Sequence, residues 1–170
     1  MMTHLIQKVT KATDLEKLGE ITSGMLGATC WRANLGYGDE LRLDIGARLP
    51  YSQPSMTGGE KGAWMLGTRG TVWRLDCPSE TLATSEDDPE ILKQKLHHVE
   101  GTTITAFETS YPDLALTVTF SNGCKLTLFP STEDDSDLPY WELFTPYQML
   151  LKVGPGAVWS YIPSDLPESP

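Results

Sequence analysis

Hydrophobic positions recur along this chain with two different periods, and the periods divide it into helices and strands. From about Thr13 to Met25, the residues Leu15, Leu18, Ile21 and Met25 return at helical spacing. Thr13 with Glu16 three residues later has the form of a capping box, which predicts the start of this helix. A second helix is predicted from about Pro89 to His98. Asp88 can cap it, Pro89 suits the first helical position, and Glu86, Asp87, Asp88 and Glu90 stand where the helix dipole favours anions. Its apolar face is Ile91 or Leu92, then Leu96 and Val99.

Period-two stretches follow each helix in the same order. Gly27 ends the first helix and Gly101 the second, an offset of 101 − 27 = 74. Thr29 to Ala33 then matches Thr103 to Phe107, and a turn at Gly38-Asp39 matches one at Pro112-Asp113. The alternating run Leu41 to Ile45 matches Leu114 to Val118, with one face set for burial and the other for water. Trp64 heads a stretch similar to that at Trp141, and Trp73 sits in one similar to that around Trp159. Offsets that grow only in the loops are those of two diverged copies. The second copy has an added hairpin signal, Asn122-Gly123, a pair suited to a two-residue turn with both residues at positive φ, before the strand Lys125 to Phe129.

The predicted fold class is therefore α+β. Two tandem units, each a helix plus antiparallel strands, pack as one pseudo-symmetric β-rich body, because a unit of that size buries too little surface alone. The first unit spans 1–82, the second 83–162, and 163–170 is a polar, proline-rich tail expected to be flexible. Segments 50–62 and 131–139 read as loops.

Composition keeps this picture and narrows the chemistry. The 170 residues are 39% apolar and 21% charged, as in an ordinary globular protein. Glycine and proline number 15 and 12, which favours many short strands over a bundle. The three cysteines, Cys30, Cys77 and Cys124, have no Cys-x-x-Cys spacing and are expected to be reduced. With no apolar run suited to a signal peptide or a membrane span, a cytoplasmic location is expected. A net charge of −10 disfavours direct contact with nucleic acid or anionic membranes and favours a basic protein partner.

Motifs of catalysis are scarce. Gly36-Tyr37-Gly38 lacks the third glycine and following helix of a nucleotide loop, and reads as a turn. His97 and His98 point about 100° apart on a helix, so they suit its C-terminal dipole rather than one metal. The run Glu133, Asp134, Asp135, Ser136, Asp137 has carboxylates for calcium but neither the glycine nor the distal glutamate of an EF-hand loop. No cofactor or metal is expected.

Two functional readings remain. The first is a non-enzymatic binding protein, an immunity or antitoxin-like factor of bacterial or phage defence. Its basic partner would meet Asp87, Asp88, Glu133, Asp134, Asp135 and Asp137, with Trp31, the tryptophan lacking a counterpart, as an exposed aromatic contact. The second is a small-ligand protein or enzyme with a pocket between the units, using Trp31, Arg32, Tyr37, Asp44 and Glu142. Unpaired edge strands would also allow a homodimer.

Overall fold

In the computed structural model the chain is mostly antiparallel sheet with two short α-helices, the α+β class that the alternating periods imply. The structure describes residues 4–36, 40–50, 59–131 and 137–164. Along them run β1 (Leu5–Lys8), α1 (Glu16–Thr22), β2 (Thr29–Leu35), β3 (Leu41–Pro50), β4 (Glu60–Thr68), β5 (Val72–Cys77) and β6 (Glu80–Thr84). The second half gives α2 (Pro89–Lys95), β7 (Thr102–Thr109), β8 (Leu116–Phe120), β9 (Lys125–Phe129), β10 (Trp141–Phe144), β11 (Met149–Val153) and β12 (Val158–Pro163).

Both helices extend as 3-10 turns, Ala12–Leu15 and Ser23–Met25 around α1 and Leu96–Val99 after α2. Asp88 caps α2 by accepting the Glu90 N–H at 2.9 Å, with Pro89 in the first turn, as the sequence implies. The start of the first helix differs from expectation. Asp14, rather than the Thr13–Glu16 pair, turns back to accept the Thr10 and Lys11 N–H groups at 2.9 and 3.3 Å. The Asn122-Gly123 hairpin also differs. Gly123 alone takes a positive φ, 89°, and Asn122 Oδ1 accepts the Cys124 N–H at 3.0 Å, so four residues, Ser121 to Cys124, join β8 to β9 in place of a two-residue turn. Pro163, assigned above to the tail, pairs with Met149 inside β12.

The strands form one sheet in the order β1-β12-β11-β10-β4-β3-β2-β7-β8-β9-β5-β6. At its middle β2 meets β7 through only two residue pairs, Thr29–Thr103 and Cys30–Thr102. Here Gly27 N–H donates to Ile104 O at 2.7 Å and Gly101 N–H to Cys30 O at 2.8 Å. From this seam, β2-β3-β4 and β7-β8-β9 run outward in chain order on opposite sides. Each side then receives the strand that follows the other side's third strand in the sequence: β10 adds to β4, and β5 adds to β9. Each side also has a bulge, at Trp31 in β2 and at Thr105 in β7.

One face of the sheet carries the core. Leu18, Met25, Leu92 and Leu96 from the helical segments join Leu43, Ile45, Leu66, Trp73, Val118, Leu126, Trp141 and Trp159 in a single buried cluster. Alternation sends the intervening residues to the opposite, outer face.

The cysteines correct the expectation of three reduced thiols. Cys77 and Cys124 form a disulfide, while Cys30 is free and buried. The pairing of β5 with β9 sets Asp76 opposite Lys125, and one step further sets Cys77 opposite Cys124 across a sequence separation of 47. No local spacing rule detects such a pair. A cytoplasmic location drew support from reduced cysteines, and the disulfide withdraws that support. Among the described residues, no helix is long and apolar enough to cross a membrane.

Candidate functional site

The outer face over β2, β3, β4 and β10 gathers four of the chain's five arginines, Arg32, Arg42, Arg48 and Arg69. Strand register arranges this face in two rows. One row reads Arg32, Asp44, Met65, Phe144, Leu150, Ile162 from β2 to β12. The next reads Asn34, Arg42, Gly67, Glu142, Lys152, Ser160.

Asp44 anchors the first row. Its carboxylate is 0% exposed and accepts Arg32 Nε at 2.8 Å and the Gly62 N–H at 2.9 Å. Arg42 Nη2 reaches the same carboxylate at 3.5 Å. A buried charge needs such pairing, since an uncompensated one costs several kcal/mol. Gly62 is required here, because a Cβ would stand 2.4 Å from the Ile45 nitrogen. The bulge between Ile45 and Arg48 brings these backbones together.

Arg32 also donates Nη2 to the Glu60 carbonyl at 2.8 Å. The guanidinium groups of Arg32 and Arg48 lie over the Trp31 ring, at 4.8 Å and 4.4 Å from its centroid. Trp31 is thus half-buried rather than fully exposed, and its indole N–H is buried without a hydrogen-bond partner. Its position as the extra residue of a bulge explains why it has no counterpart among the core tryptophans.

In the second row Gly67 separates Arg42 from Glu142, and a shallow cleft of about 270 Å³ opens over it. Its walls come from distant parts of the chain, residues 36, 40–42 and 65–69 together with 142 and 144. Glu142, 12% exposed, is held by Arg69 at 3.2 Å. The structure therefore assembles Trp31, Arg32 and Asp44 in one network and links it through Arg42 to the cleft beside Glu142. Tyr37 lies outside the described residues.

The acidic candidates lie elsewhere. Asp87 accepts the Thr84 N–H at 3.0 Å and Asp88 caps α2, on the side of the molecule where Leu92 joins the core. Asp137 is exposed in the segment leading to β10, with φ 61°. Glu133, Asp134 and Asp135 lie outside the described residues. His97 is paired with Glu100 and His98 with the Lys95 carbonyl at 3.1 Å, so both serve the end of the helical segment.

Burial pushes the Cys30 thiol up to about 12, with the Glu100 and Asp44 carboxylates adding to the effect, which disfavours the thiolate that nucleophilic attack or metal ligation requires. Among the described residues, no three His, Cys, Asp or Glu side chains converge as a metal site would require. Sequence reasoning missed Arg42, Arg48, Glu60, Gly62 and Gly67. The alternation of β3 with its partners could have placed Arg42 beside Asp44 on one face, but nothing local marks the rest. No protein-family model, curated protein or solved structure matches this chain.

Proposed function

We propose that this chain is a non-enzymatic binding protein, of the immunity or antitoxin-like kind, that presents an acidic edge to a basic protein partner. The observation that carries this reading is the composition of 76–90. Asp76, Glu80, Glu86, Asp87, Asp88 and Glu90 fall between the last turns of β5 and the first turn of α2. Arg74 offsets Asp76 and Lys93 offsets Glu90, leaving the rest in excess. Ile91 stands 47% exposed beside them. An apolar contact inside a ring of like charge suits a partner of opposite sign. β6, at one end of the sheet order, makes this an edge.

The scaffold is a duplication in which the two units exchange strands. Supporting it, Trp31 and Thr105, the bulge residues, differ by 105 − 31 = 74, the offset of Gly27 and Gly101 at the seam. Leu18 and Leu92, both buried, share it. Counted outward from the seam, Trp73 of β5 corresponds to Trp141 of β10, a different match from the one suggested by linear order. The units 1–82 and 83–162 then complete one another's sheets.

The test is capture of the tagged chain from its own cells at low and high salt, beside a Glu80→Gln/Glu86→Gln/Glu90→Gln variant. A stoichiometric basic protein that is lost on adding salt and absent from the variant is the expected result. An empty capture, or a partner that the variant retains, overturns the reading.

A further inference from the structure

Gly67 occupies the middle of the sheet for no reason the fold supplies. Its φ is not positive, and a Cβ there would meet only the Leu41 carbonyl oxygen, at 3.9 Å. Gly62, on the same strand, has no such room. A glycine inside a strand weakens it and often marks close approach of a ligand. Gly67 forms part of the cleft lining, and the residues directly across from it on either side are Arg42 and Glu142.

The charge around the cleft selects the ligand. Arg42 and Arg69 line it together with Glu40 and Glu142, two charges of each sign; Arg42 also reaches the Asp44 carboxylate and Arg69 holds Glu142, so a ligand's charges would join these pairs. An anion or a metal cation would meet one attractive pair and one repulsive pair. A neutral dipolar molecule satisfies both. Neighbouring strands are about 4.8 Å apart, so Arg42 and Glu142 flank a gap of about 10 Å that their side chains can narrow. At about 270 Å³ the cleft is smaller than the ~300–1,000 Å³ of ordinary small-molecule pockets, which limits the ligand to a small molecule. One row away, Met65 and Phe144 pair across β4 and β10 and are half-buried, offering an apolar wall.

We propose that this cleft binds a free α-amino acid with an apolar side chain. Its carboxylate meets Arg42, its ammonium group meets Glu142, its backbone lies over Gly67, and its side chain lies against Met65 and Phe144. The site is independent of the acidic edge and survives if no protein partner is found.

Titration calorimetry of the full chain with each of the twenty L-amino acids tests it. Leucine, methionine or phenylalanine is expected to bind, and its N-acetyl and amide derivatives, each lacking one charge, to bind at least tenfold more weakly. Gly67→Ala is expected to keep or raise Tm while weakening binding at least tenfold, and Glu142→Gln to weaken it similarly. Absence of heat from all twenty overturns the proposal, as does equal binding of the N-acetyl derivative or undiminished binding by Gly67→Ala. Failure of Gly67→Ala to fold would show that the fold itself requires the glycine, which also overturns it.

Discussion

The outer face on one side of the β2–β7 seam centres on a buried carboxylate with arginines around it, and on the other side the central places hold threonine, with charged residues such as Glu108, Lys125, Arg74 and Asp76 around them. Counted outward from the seam, the place of Arg42 is taken by Thr117, that of Asp44 by Thr119 and that of Gly67 by Thr127. Each side pairs three strands outward in chain order and has a bulge next to the seam, and these features form with threonine at the compared places, so such strand pairing does not require the charged cluster. A threonine face suits a pleated, half-buried surface without a buried charge to compensate. The side with Asp44 has to satisfy one. The difference assigns the buried carboxylate network and the cleft to one side, while the other carries the acidic edge at β5 and β6 and a disulfide.

The sharpest way to break this contrast is to remove the carboxylate. Asp44→Ala leaves Arg32, Arg42 and the Gly62 N–H without their shared acceptor and is expected to cost about 3–5 kcal/mol in urea denaturation. Thr119→Ala, at the corresponding place, is expected to change stability by less than about 1 kcal/mol. Similar costs at the two positions would show that the halves are not differently built.

The threonine side has its own fastening. Replacing Cys77 and Cys124 together by alanine frees a loop of 47 residues and is expected to lower stability by about 2–4 kcal/mol. Reductant should destabilise the native protein by a similar amount and leave the double variant unchanged.

The smallest effect tests the seam itself, where Cys30 is buried. Its thiol is raised from 9.0 to about 12 in the folded chain, so above pH 9 the unfolded chain releases a proton that the folded chain keeps. Stability therefore falls as pH rises through that window, by about 1 kcal/mol near pH 10. Cys30→Ala should lack this component of the slope, and an identical slope would mean that the thiol is not held protonated.

Much of the element content was legible because its causes are local. Asp88, Pro89 and the spacing of Leu92, Leu96 and Val99 lie within a few turns of one another and mark α2. The alternation of Leu41, Leu43 and Ile45 marks β3 and its buried face in the same way. β1, β6 and β11 escaped notice. Met149–Leu150–Leu151 is buried at three successive positions, so β11 shows no alternation, and β1 and β6 are short. Within the candidate site, the sequence singled out Trp31, Arg32, Asp44 and Glu142 but not the residues that unite them.

By itself, then, the sequence determined many of the segments that become helix and strand, which of their faces are apolar, and the β-rich α+β class. Each of these depends on residues near in the chain, whose periods and caps act before any distant contact forms. Only the tertiary structure decided that β10 joins β4 and β5 joins β9, that Cys77 faces Cys124, and that Asp44 receives Arg32 and Gly62. Those outcomes depend on which of many similar strand edges meet, and that choice is made by the burial of the whole core cluster at once.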